Sequence, residues 1–351
     1  MKLNRLFFAV GAMLTPFAMQ AAAPTAGLLA HWTFDDTGSA TAIDATGNGH
    51  DAMLVGGAEQ VADGMKYGAL RTYDADDGAI WTSTDSPQIT ITAWVKPGSE
   101  TVFPQNPRVV ETNGYRFFVS YDEYKVDLVF EQDFKTGGGQ ARAKWRIVLP
   151  YNYAETWMHV GVSFDRTNVA NAPTFYVNGA PETKILDHVP PPAAGNAIGY
   201  SFRASIGNNP QLYRGYQGYI DEIRIYNRIL SGSEVNDIYE EDYPFFFFPG
   251  LVDIGGGLHD LPFYGIVDIS SFPDVWHQEH GWLNFAYLTL RPDDEVYTAY
   301  DQKLRWIVFS RNNYPRIYSY TLDDDLEYHI GTDNPRVFTN LEDMSILNIM
   351  D

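Results

Sequence analysis

The chain contains no cysteine. That absence excludes disulfides, thiolate metal sites, a cysteine nucleophile and a lipidated cysteine. Cations are also scarce: 24 Lys and Arg face 45 Asp and Glu, a formal charge of -21. Nucleic acid and anionic membrane surfaces would repel such a chain, and no basic cluster offsets the repulsion. Long apolar runs are missing beyond the start. FFFF at 245–248 is closed by Pro249, far short of a membrane span. Helical periodicity is nearly absent as well. Without disulfides, added stability has to come from the size of the core or from a hard cation such as calcium.

What is present begins with an export signal. Lys2 and Arg5 precede the apolar run LFFAVGAMLTPFAM and then QAAAP. This is the order of a secretory signal peptide, expected over 1–23 with cleavage between Gln20 and Ala23. The mature protein is expected to be secreted: extracellular, at the cell surface or periplasmic.

From Leu28 to Tyr226, runs such as LLAHWTF, QITITAWV, YRFFVSY, KVDLVF, KWRIVL and TWMHVGVSF recur between clusters of Gly, Asn, Asp and Pro. They read as strands. In ITITAWV, Ile89, Ile91, Ala93 and Val95 share one face and Thr90, Thr92 and Trp94 the other. One short helix is expected at LSGSEVNDIYEE, with capping-box spacing between Ser231 and Glu234 and an apolar staple from Leu230 to Val235. The fold class is all-β, a jelly-roll sandwich over 28–239. EEDYPFFFFPG (240–250) reads as a linker. A smaller β-rich, aromatic module follows at 251–351, where RNNYPRIY and GTDNPRVF suggest a small repeated unit.

The run YIDEIRIY (219–226) raises a question. Strict alternation sends Asp221 and Glu222 to opposite faces, so one of them lies on a buried face. A buried carboxylate is costly unless paired or bound to a metal. The neighbours of Asp221 therefore matter.

GLLAHWTFDD, AIDATGNGHDAML, ITITAWVKPGS, TWMHVGVSFDR, FYVNGAPE and GYIDEIRIYNRILSGSEVNDIY follow one another in an order that resembles the laminin-G-like, concanavalin A-like jelly rolls of secreted bacterial proteins. The resemblance implies two curved antiparallel sheets, frequent use in carbohydrate recognition, and a structural calcium site. By that resemblance Asp221 is a calcium ligand, joined by Asp35, by Asp44 and by carbonyls near Asn48. Pairing of Asp221 with Arg224 is the alternative.

The same architecture also carries glycosidases and lyases. Asp221 and Glu222 cannot form a catalytic pair if they point to opposite faces. In FEQDF, Glu131 and Asp133 share a face but read as a solvated edge or loop. Arg116, Arg142 and Lys144 occur near tyrosines without the Gln-x-His strand of a lyase. His159 falls at a core-strand position. In WHQEHGW, His277, Glu279 and His280 read as a hydrogen-bonded turn rather than a metal site. No catalytic constellation emerges. Sugars stack their C–H faces on aromatic rings, which makes Trp81, Tyr115, Tyr121, Tyr124 and Trp145 the candidate ligand-binding residues. The leading expectation is a secreted binder of a polysaccharide or glycoconjugate, with no nucleic-acid partner and no transmembrane segment. Two alternatives stand beside it: a polysaccharide-active hydrolase or lyase, and a structural or adhesive surface protein whose segment 251–351 contacts other copies or the cell envelope.

Overall fold

The structure, a computed structural model, describes residues 22–98, 106–122, 125–149, 156–183, 185–199, 202–285, 296–333 and 335–350. The expected export signal lies outside these residues, apart from its last two positions. Among the described residues two antiparallel sheets make the first domain, as the alternating runs require. The smaller has eight strands, ordered Ala180–Glu182, Thr174–Val177, Met158–Asp165, Gln88–Pro97, Gly218–Tyr226, Gly68–Thr72 and Glu59–Lys66, with Leu28–Trp32 also paired to Gly218–Tyr226. The larger has ten, with Gly139–Val148, Lys125–Thr136, Tyr115–Asp122 and Arg108–Glu111 side by side and Phe202–Ile206 next. Ile91, Val160 and Ile223 from one sheet meet Phe117, Leu128 and Phe130 from the other in a shared core. This is the expected sandwich.

The other face of ITITAWV is buried too, because the helix Gly232–Phe247 lies over it. Trp94 donates its indole N–H to Asp242 of the helix at 3.2 Å and stacks on Tyr239 and Phe246. The capping box forms as expected: Ser231 Oγ accepts from the Glu234 N–H, and the Glu234 carboxylate accepts from the Ser231 N–H. The expected linker at 240–250 is not a linker at its start. The helix continues through Pro244 to Phe247, because Phe245, Phe247 and Phe248 enter the core of the second module. Burial of three aromatic rings outweighs the proline's lost hydrogen bond.

Among the described residues that module is one meander of eleven antiparallel strands from Val252–Gly255 to Ile346–Ile349. It is rolled rather than flat. Asp301 and Arg336 stand at strands four places apart in the order, about 19 Å in a flat sheet, yet they form a buried ion pair. The Tyr264 and Phe309 rings likewise stack at 4.7 Å across the roll. In the two repeated elements Arg316 is exposed and Arg336 is buried.

Candidate functional site

Gly218–Tyr226 does not alternate strictly. Its register to the neighbouring strand slips between Asp221 and Arg224, so Glu222 and Ile223 together oppose Ala93. Glu222 takes φ +48°, in the left-handed region. This bulge keeps Ile220, Ile223 and Ile225 in the core and places both acids off it. The opposite-face expectation is thereby overturned.

Both acids are fully buried. Asp221 accepts the Lys66 N–H at 2.9 Å and the Glu222 N–H at 2.6 Å. Glu222 meets His31 Nε2 at 2.6 Å and Arg224 Nη2 at 2.8 Å. Arg224 continues to Asp242 at 2.8 Å, and Lys66 reaches Asp242 at 3.4 Å. Burial alone would raise every one of these carboxyls. For Glu222 the Arg224 guanidinium overcomes burial and holds it below the usual range, and for Asp242 Arg224 and Lys66 together do so. Among the described residues Asp221 has no such cationic partner. Burial and the Glu222 anion push its carboxyl well up.

The expected calcium ligands fall into two hydrogen-bond systems. Asp35 accepts the Gly68 N–H at 2.9 Å, beside the hairpin that also engages Asp221. Asp44 instead organises its own turn, accepting from the N–H groups of His31, Thr46 and His50 and from the Thr46 hydroxyl. Asn48 donates its amide to the Leu28 and Leu29 carbonyls. Among the described residues no three His, Asp or Glu side chains are grouped to hold a metal. Arg224 supplies positive charge at Glu222 and Asp242, and Lys66 at Asp242.

The candidate sugar platforms fare similarly. Trp81, Tyr115 and Trp145 are buried in the sandwich core, Trp81 edge-on to Trp32 and Trp145 beside Phe164. They offer no ring face to a ligand. Tyr121 pairs with Val126 in the sheet, and Tyr124 lies outside the described residues. His277 accepts two backbone N–H groups at Nδ1 and approaches the Tyr264 carbonyl at 3.0 Å through Nε2, which makes WHQEHGW a hydrogen-bonded turn.

A charged face appears where alternation turns Trp145 inward. Between Ala143, Trp145 and Ile147, which face the core, Arg142, Lys144 and Arg146 stand on the outer side of the ten-stranded sheet. Direct cross-strand pairing aligns Glu111 with Arg116, Arg116 with Glu131, and Glu131 with Lys144. Glu131 and Asp133 are therefore mid-sheet residues, not a solvated edge. Asp133 accepts from Arg116 at 3.0 Å and from Arg142 at 2.7 Å. Arg146 holds Asp127 at 2.5 Å, and Arg108 holds Glu111.

Exposure is unequal on this face. Arg142, Arg146 and Lys144 are 46%, 30% and 19% exposed, whereas Asp133 is 1% and Glu131 10% exposed. Carboxylates lie low and cations stand above them. An approaching chain meets guanidinium forks suited to carboxylate and hydroxyl oxygens. The alternating R-x-K-x-R of 142–146 was the available sequence signal for this surface.

Residues 65–236 match the concanavalin A-like lectin/glucanases superfamily. Among solved structures, domain 4 of AbnA, a GH43 extracellular arabinanase from Geobacillus stearothermophilus in complex with arabinotriose, aligns at 19% identity over 63% of this chain and 99% of that one, TM-score 0.43. The binding domain of Paraclostridial Mosquitocidal Protein 1 aligns at 16% identity over 93% of this chain and 90% of that one, TM-score 0.46. Trypanosoma rangeli sialidase in complex with the inhibitor DANA aligns at 18% identity over 62% of this chain, TM-score 0.43, and only 33% of the sialidase is covered. No curated protein matches the chain.

Proposed function

We propose that this chain, whose first domain is a concanavalin A-like jelly roll, is an exported polysaccharide-binding protein that holds uronate-bearing glycan on the outer face of its ten-stranded sheet. The observation that carries the reading is the inequality of exposure along Arg142, Lys144 and Arg146 above Asp127, Glu131 and Asp133. On a protein of charge -21, this row presents cations outward. Export is supported by the basic and apolar order of the first 23 residues.

Retention on immobilised polygalacturonate tests the reading, with soluble products scored in the same assay. A hydrogen bond to a charged group contributes about 1.5–3 kcal/mol, less where half exposed, so Arg142→Ala is expected to weaken retention about tenfold. Arg142→Lys, which keeps charge but loses the fork, should fall between. Unchanged retention in Arg142→Ala defeats the reading, and product release would move the protein to the enzyme class.

A further inference from the structure

Between the jelly roll and the second module runs a cleft of about 580 Å³, within the size range of small-ligand sites, which favour such junctions. Its lining includes Trp157, Lys96, Asp35, Asp63, Tyr67 and Phe246. The walls are tied together. Tyr67, at φ +61° in the turn of its hairpin, brings its hydroxyl 3.0 Å from His259 of the second module and sets its ring edge-on to Phe245. Phe246 is held by stacking on Trp94 at 5.4 Å.

Lys96 is the informative residue. Its ammonium lies 5.8 Å from the Trp157 ring centre and 5.1 Å from that of Tyr219. Among the described residues it has no hydrogen-bond or ion-pair partner, although carboxylates line the same cleft. A half-buried ammonium with three free donors, an aromatic wall and two carboxylate acceptors match a molecule with apolar C–H faces and many hydroxyls. Two carboxylates against one ammonium disfavour an anionic ligand. This charge balance is the reverse of that on the sheet face.

We propose that the junction cleft is a second saccharide site, for a neutral glycan, with Trp157 as the stacking ring, Lys96 donating to a ring or hydroxyl oxygen, and Asp35 and Asp63 accepting from hydroxyls. It stands apart from the sheet-face reading, which polygalacturonate retention tests. The experiment is calorimetric titration of the full chain with laminarihexaose, cellohexaose, xylohexaose and mannohexaose, with tryptophan fluorescence followed in parallel. At least one probe is expected to bind. Trp157→Ala should weaken it tenfold or more and Lys96→Met several-fold, while Arg142→Ala leaves it unchanged. If Trp157→Ala misfolds, Trp157→Phe serves instead, with the ligand-induced fluorescence change lost and binding weakened a few-fold. The proposal is overturned if none of the four probes binds, if the Trp157 variants bind as the parent does, or if Arg142→Ala weakens binding equally.

Discussion

Replacing Arg224 by Met tests how the buried charges hold the helix to the sheet. Arg224 lies 2.8 Å from both Glu222 and Asp242, and all three are buried. The parent network balances Glu222 and Asp242 against Arg224 and Lys66. Arg224→Met leaves Lys66 as the one Lys or Arg beside the two carboxylates, with His31 still on Glu222 and the Trp94 N–H on Asp242, a formal negative charge in excess. Breaking a buried pair in this way costs about 3–5 kcal/mol, which for a unit of this size lowers Tm by about 6–20 °C. Asp242→Leu alone leaves one positive charge in excess and should also destabilise. The double variant Arg224→Met/Asp242→Leu leaves Glu222 with Lys66, balanced, and should be less destabilised than the two singles together. Melting and urea midpoints of the four proteins, read as a double-mutant cycle, give the coupling. The two carboxyls are held below their usual range, so their stabilisation is present above the unfolded value near 4 and fades as pH falls further. The gap between parent and Arg224→Met should therefore narrow in acid. Additive singles, or a loss under about 1 kcal/mol for Arg224→Met, refute the reasoning.

Burial pushes His159 and His277 down to about 4. Both stay neutral in the fold while the unfolded chain takes up protons below about 6.5, so stability should fall as pH drops from 6.5 towards 4, by about 2–3 kcal/mol per histidine at pH 4.5. Urea midpoints at pH 7.5 and 4.5 measure this, and His159→Leu should reduce the difference. Trp145→Ala should cost about 3–5 kcal/mol of stability as a core cavity and affect retention only through that loss, as comparison of folded fractions would reveal. Chelation with EDTA tests the expected calcium site: a fall in melting temperature that added calcium reverses supports it, and a change under about 1 °C counts against it.

Several features were legible in the residues themselves. Period-two patterning in ITITAWV put Ile89, Ile91, Ala93 and Val95 on one face, the face that packs in the core, since each strand residue must choose a side of one pleated sheet. Ser231 and Glu234 marked the helix start because a cap is a contact three residues long. The ordered motifs of 28–239 pointed to the jelly roll whose family matches 65–236. Other features depended on partners distant in the chain. The bulge at Glu222 and Ile223 exists because Ala93 opposes both residues, and no count along YIDEIRIY reveals it. Trp81, Tyr115 and Trp145 look like ligand platforms by residue type, but only the packing of two sheets shows that their rings are core. Likewise Arg142, Lys144 and Arg146 alternate visibly in sequence, while their carboxylates come from Lys125–Thr136 through register. Local patterns decide which way a side chain turns on its own strand; the tertiary fold decides what it meets there, because ion pairs, bulges and clefts are made between segments far apart in sequence.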